Sequence, residues 1–210
     1  MVLSAEEFWL NKQGCPIGTV PIRRITREQL QSAKDASLSM ENESHAENII
    51  DFAGITIRAT PEIKSFTSIS ATVTLNNPQL KGLGQYSSAT IFLRSADEAP
   101  NLEQIHAGWI VQSKLYGDGR TRLYAHWTID GGQKTGCCNN ICPGFVQLDS
   151  EVPIDYAFPK ISRPISTRMK TIIFSYSLFV IGFWPETIFN ELRNGSQIVR
   201  YGGKAYTPAG

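Results

Sequence analysis

Hydrophobic residues in this chain recur mostly at every second position, the period that gathers side chains on one face of a β-strand. Ile105, Ala107, Trp109 and Val111 share one parity, and Leu123, Ala125 and Trp127 share one again. Between the two runs, Gly117, Asp118 and Gly119 are residues that chain reversals use. The pattern predicts an antiparallel hairpin in which each strand buries one face. Keeping both apolar sets on the same side favours a register near 106 opposite 126. That register gathers His106, Tyr124 and His126 on the opposite, polar face.

The same alternation recurs at 68–75, where Ile69, Ala71, Val73 and Leu75 alternate with Ser70, Thr72 and Thr74 before Asn76, Asn77 and Pro78 close the run. Further strands are predicted from about Ile55 and at 90–94, the latter with Ile91 and Leu93 inward. Beyond Gln147, an edge strand is expected at 151–154 and one or two buried strands at 171–184. That apolar run is broken by Ser175, Tyr176 and Ser177 and is shorter than the roughly 20 residues a spanning helix needs. Pro185 followed by ETIFNEL predicts a short amphipathic helix with Glu186 in its first turn. Many short strands separated by turns predict an all-β fold, an antiparallel β-sandwich with Ile69, Val73, Trp109 and Trp127 buried.

The first 36 residues differ in character. A helical turn is expected at 5–11, then a proline-punctuated extended stretch, then a helix opened by a capping box at Thr26 and running through Ala36. Residues 38–48 are polar without periodicity and read as a linker.

Composition sharpens this picture in three ways. The 17 glycines, 11 prolines, 7 tyrosines and 10 phenylalanines favour sheet over helix. A net charge of +1 with only 19% charged residues leaves no basic footprint for nucleic acid or an anionic membrane, so neither is expected as a partner, and a monomer is expected. Of the four cysteines, Cys137, Cys138 and Cys142 lie close enough to predict a local bridge. With Cys15 remote and no Cys-x-x-Cys pair, no zinc site is expected. The N-terminal MVLSAEEFWLNKQG lacks the charged-then-apolar pattern of a secretory signal. The acceptor sequons Asn42-Glu43-Ser44 and Asn194-Gly195-Ser196 fit a secreted chain.

The segments CPIGTVPIRR (15–24), AGW (107–109), LYGD (115–118), HWT (126–128), TGC (135–137), CPGFVQ (142–147), GFWP (182–185) and YGG (201–203) occur in an order that resembles the neprosin family. These are secreted plant proteins whose founding member is a glutamic endopeptidase that cleaves next to proline. The resemblance implies a β-sandwich whose two glutamates line a concave groove and share a proton. One acts as general base on water and the other polarises or protonates the substrate amide. It implies a peptide or protein substrate, secretion, and neither metal nor organic cofactor. Residues 1–45 correspond to an activation peptide and linker, and 46–210 to a peptidase domain that ends before the last family strands. Cys137 matches Cys142 as a family disulfide, leaving Cys138 and Cys15 as thiols.

The resemblance places the first glutamate immediately before AGW, where this chain has His106. It places the second after GFWP, where Glu186 and Thr187 compete and the closest alignment selects Thr187. The catalytic candidates are therefore Glu186 and His106, with Tyr124 and His126 in the substrate groove. Glu186 reads either as a shifted catalytic carboxylate or as a first-turn residue at a helix dipole. His106 reads as a replacement acid or base, as a metal ligand with His126, or as a polar residue on a solvated sheet face that becomes a cation at acid pH. Glu103 has the opposite parity to His106, Asp118 reads as turn chemistry, and Arg23 and Arg24 could pin the N-terminal arm. The expected function is a neprosin-like glutamic endopeptidase, with a non-catalytic relative binding peptide or cell-wall glycan, or a truncated non-functional product, as alternatives.

Overall fold

Alternating β-branched and aromatic residues produce sheet throughout. A computed structural model of the chain describes residues 15–28, 30–31, 49–82, 84–97, 102–159, 161, 171–174 and 181–208. Its elements run β1 (Ile49–Arg58), β2 (Ala71–Thr74), β3 (Tyr86–Arg94), β4 (Gln104–Val111), a helical turn α1 (Ser113–Tyr116), β5 (Arg122–Thr128), β6 (Cys137–Cys138), β7 (Val146–Gln147), β8 (Thr171–Phe174), β9 (Gly182–Phe183) and β10 (Ile198–Thr207). Six strands form one antiparallel sheet in the order β1-β10-β3-β4-β5-β6, and two small sheets pair β2 with β8 and β7 with β9. The architecture is all-β and sandwich-like. Among the described residues no helix is long and apolar enough to cross a membrane.

The hairpin register is the expected one: His106 pairs with His126, Ala107 with Ala125 and Trp109 with Leu123. On the apolar side, Leu75, Trp109, Val111, Leu123, Ala125, Val152, Ile154 and Phe158 form one core cluster. The Trp109 indole N–H also donates to the Thr74 carbonyl at 2.8 Å, tying β4 to β2 across the layers. Trp109 is buried as expected, while Ile69, Val73 and Trp127 are only half-buried. The small sheets and their loops do not cover the large sheet completely.

The opposite side of the large sheet is not the solvated face its polar residues suggest. A second cluster there joins Tyr86, Ile110, Leu115, Tyr116, Tyr124, Cys138 and Tyr206. The β4–β5 connection is not a tight turn. It winds into α1, which Gly117 closes at φ 78°, and this folds Leu115 and Tyr116 down over the sheet. Asp118 then acts in the reversal, accepting from Arg120 N at 3.1 Å and Arg122 Nη2 at 2.7 Å.

Other expectations change on the fold. β1 begins at Ile49, six residues before the first apolar alternation, because ten residues pair with β10 over its whole length. Residues 151–154 form no strand. Val152 and Ile154 fill the core from a loop that the Gln147 side chain holds, donating to Val152 O and accepting from Ile154 N. The helix expected after Pro185 is two 3₁₀ turns, Glu186–Ile188 and Leu192–Asn194, separated by extended backbone at Phe189. Their spacing is set by Glu103, whose buried carboxylate accepts from Asn190 N, Glu191 N and Leu192 N at 2.8–2.9 Å.

The described N-terminal stretch is anchored at two points: Cys15 N donates to Ser150 O at 2.8 Å, and Arg23 pairs with Asp155. The Arg23 guanidinium also lies 5.3 Å above the Tyr116 ring, whose surroundings include Arg122 at 4.9 Å. Arg24 is exposed. A helical turn spans 27–31 in part, with Leu30 N bonded to Thr26 O. The turn expected at 5–11, the continuation to Ala36, the 38–48 linker and Asn42 lie outside the described residues.

Candidate functional site

Register determines which side chains share the inner face. Gly54 pairs with Gly202, Gly202 with Thr90, Thr90 with Gly108 and Gly108 with Tyr124, a row running straight across five strands. A Cβ on Gly108 would stand 2.0 Å from Ala89 O, and one on Gly202 2.3 Å from Ala53 O. The strands therefore approach too closely at these glycines for any side chain, and the glycine positions leave a trough in the side-chain layer of this face. This explains the glycine of AGW and the first glycine of YGG. The exposed end of the trough lies at β1 and its closed end at β4 and β5.

Beneath the closed end is a cavity of about 10 Å³ lined in part by Ser88, Thr90, Phe92, His106, Tyr124 and Lys204. Each of these side chains is buried. His106 stacks on His126 with ring centroids 5.0 Å apart and meets the Phe92 ring edge-on at 4.7 Å. The Lys204 ammonium lies 5.6 Å from the Phe92 centroid, and Arg200 stacks on Phe52 at 3.9 Å.

The ring nitrogens of His106 are both engaged. The Gln104 amide lies 3.4 Å from Nδ1, and an amide N–H can only donate, so Nδ1 accepts and Nε2 carries the proton. Nε2 lies 3.3 Å from the Tyr124 hydroxyl, which is 3.7 Å from Cys138 Sγ. Burial, with the nearby His126, Lys204 and Arg94, holds His106 well below the ordinary histidine range. The expectation of a cation at acid pH was based on a solvated face. Burial of the ring reverses it.

The structure thus brings His106, Tyr124 and His126 together and leaves Glu186 and Thr187 apart from them, exposed on a 3₁₀ turn and absent from the cavity wall. Among the described residues, no carboxylate lines the cavity. Sequence reasoning missed Lys204. The only available signal was its place directly after YGG, with the parity that turns it inward. It also missed Asn139, which adopts φ 54° and bonds Ala125 N through Oδ1 and Tyr116 OH through Nδ2, locking the cysteine loop to the sheet. That loop is closed by the Cys137–Cys142 disulfide, as expected, while Cys15 and Cys138 take no part in a disulfide. Among the described residues no group of three or more His, Cys, Asp and Glu side chains could hold a metal ion.

The family model for neprosin matches residues 83–210, well over half of the chain and all of the strands that build the trough except β1. The chain belongs to the neprosin family. In this neprosin domain the short sequence motifs have structural explanations: AGW and YGG form the trough floor, LYGD closes α1, and TGC with CPGFVQ forms the bridged loop. At the centre of the domain lie the buried Lys204 and the His106 imidazole, which burial holds neutral.

Proposed function

We propose that this chain is a non-hydrolytic neprosin domain that binds peptide on its trough without cutting it. The observation that carries this reading is the lining of the central cavity: His106 and Lys204, with no carboxylate among the described residues. Glutamic peptidase chemistry needs two carboxylates sharing a proton, one to activate water and one to assist the amide. If the first belongs at His106, its partner must line the same cavity, and among the described residues the charged side chain there is Lys204. A lysine and a histidine cannot reproduce a proton-sharing acid pair. His106 cannot serve alone as base either, because its acceptor nitrogen faces Gln104 and its other nitrogen faces Tyr124.

Space supports the same conclusion. A cavity of about 10 Å³ has room for one water-sized species. The reading therefore places a bound chain outside this cavity, along the trough beside Gly54, Gly202 and Arg200. Titration calorimetry of the full chain with a proline-containing peptide, followed by mass spectrometry of the mixture, tests both halves of the proposal. Complex formation with intact peptide is expected. Heat only on addition of a cell-wall glycan, or no heat with either ligand, would remove the peptide-binding half.

A further inference from the structure

The second 3₁₀ turn, Leu192–Asn194, leads towards β10 through Asn194-Gly195-Ser196, an acceptor sequon for N-linked sugar. A sequon alone is a short match, so its surroundings decide what it can do. Asn194 is exposed, and its side-chain amide makes no hydrogen bond among the described residues. The backbone beneath it is held: Asn194 N donates to Glu191 O and Gly195 N to Leu192 O, both at 3.0 Å. Ser196 is 1% exposed, and its hydroxyl accepts from Arg94 N at 2.9 Å and donates to Arg94 O at 2.8 Å. A hydroxyl so enclosed is out of a transferase's reach, so any sugar on Asn194 is added before β10 pairs with β3. Beside this turn lies a groove of about 240 Å³ whose apolar walls, Phe66, Leu93, Ile105 and Leu192, are each half-buried. Asn194 is itself part of the lining. Phe66 is fixed there by a two-way backbone pair with Ser196, at 2.8 Å in each direction. The groove is smaller than the roughly 300 Å³ at which pockets for drug-sized ligands begin, and suits a single sugar ring.

From this juxtaposition we infer that Asn194 is an N-glycosylation site whose first N-acetylglucosamine covers the groove, with its apolar ring face on Phe66 and its hydroxyls toward solvent. In the transfer, Asn194 Nδ2 forms the bond to C1 of the sugar. The bond from C1 to the pyrophosphate of a lipid-linked oligosaccharide donor breaks, the lipid pyrophosphate leaves, and the amide proton passes to the transferase. A sugar has the form this place requires, since its C–H faces pack on an aromatic ring while its edges stay wet. The covalent tether at the groove's wall also holds the ring at high effective concentration, so that even a weak contact is occupied. The inference goes beyond the peptide-binding reading and does not rest on it. Leu93 and Ile105 pair with each other and alternate with the Phe92–His106 pair, which puts the groove on the opposite face of the sheet from the trough. What it requires is passage of the chain through the secretory pathway.

The test uses the full chain behind a cleavable signal peptide, expressed in eukaryotic cells that make high-mannose glycans. Peptide mapping by mass spectrometry, on protein from both cells and medium, reads Asn194 and Asn42 separately. Asn194 should be occupied in most of the folded protein; a bare Asn194, whatever is found at Asn42, overturns the proposal. Trimming to the first sugar with an endoglycosidase should leave the thermal midpoint where it was. Complete removal with an amidase, which converts Asn194 to aspartate, should lower the midpoint by about 3 °C, the effect of one aromatic contact in a chain of this size. Asn194→Gln, which removes the sugar without adding a charge, should show the same lower midpoint. Phe66→Ala should keep the sugar and erase the difference between trimmed and bare protein. Equal midpoints for trimmed and bare protein, a midpoint that falls on trimming, or a difference that survives Phe66→Ala overturns the seating of the sugar in the groove.

Discussion

Replacing His106 by glutamine should remove a pH dependence that the wild-type fold carries. His106 is 5% exposed and is held neutral by burial and by the neighbouring His126, Lys204 and Arg94. In the unfolded chain it titrates near the ordinary value of 6.5. Below that pH the unfolded state binds a proton that the folded state does not, so this contribution is fully present above about 6.5 and is lost as pH falls. The slope is about 1.4 kcal/mol per pH unit while the folded ring stays neutral, or about 2 kcal/mol between pH 7.5 and 5.0. For a chain of this size that corresponds to a fall in midpoint of about 4 to 8 °C. Asp118 and Asp130, whose pKa values are lowered from 3.8, contribute stability that is lost only at more acid pH, outside this window. For Asp118 partial burial opposes the shift and is outweighed by Arg122 and Arg120; for Asp130 burial is outweighed by Thr135 and Lys134. Urea unfolding followed by tryptophan fluorescence from pH 7.5 to 5.0, on wild type and His106→Gln, measures the difference directly. Parallel stability curves would refute the claim that His106 is buried in neutral form.

Three further outcomes follow from the packing. Replacing Cys137 and Cys142 together by alanine opens a loop between residues five apart in sequence and should cost about 2 kcal/mol in urea unfolding. Gly108→Ala has no room, because its Cβ would meet Ala89 O and the Thr90 Cα; a loss of about 3 kcal/mol is expected, and an unchanged midpoint would show that the strands are not so closely apposed. Glu103→Ala removes the acceptor for three backbone N–H groups and should cost about 3 kcal/mol, while hydrogen exchange should speed up selectively at Asn190, Glu191 and Leu192.

Much of this arrangement was legible from alternation alone. The β4–β5 pairing could be read to the residue because apolar side chains on both strands demand one common face, and a one-residue slip would have sent Trp109 to the wrong side. The burial of the polar face was not legible. Nothing in the parity of His106 or Tyr124 shows that Leu115 and Tyr116, Phe92 and Lys204 gather on the same face, since these residues come from three separate elements, α1, β3 and β10. Strand 151–154 and the helix after Pro185 failed for a related reason. Both segments have suitable local patterns, but side chains distant in sequence, Gln147 for the first pair and Glu103 at 87 to 89 residues' separation for the second, claim their backbone groups. Lys204 was overlooked because its meaning depends on what lies across the cavity, and only the fold supplies that.

The central claim is that the chain is a neprosin domain without hydrolytic chemistry, and acid-pH cleavage tests it most directly. The purified chain is incubated with a proline-containing peptide between about pH 3 and 5 and the products are counted by mass spectrometry, with Glu186→Gln in parallel. The account predicts no fragments above background from either protein. Cleavage by the unaltered chain that disappears in Glu186→Gln would contradict it, placing the working carboxylate on the exposed turn after Pro185 instead of in the cavity between His106 and Lys204.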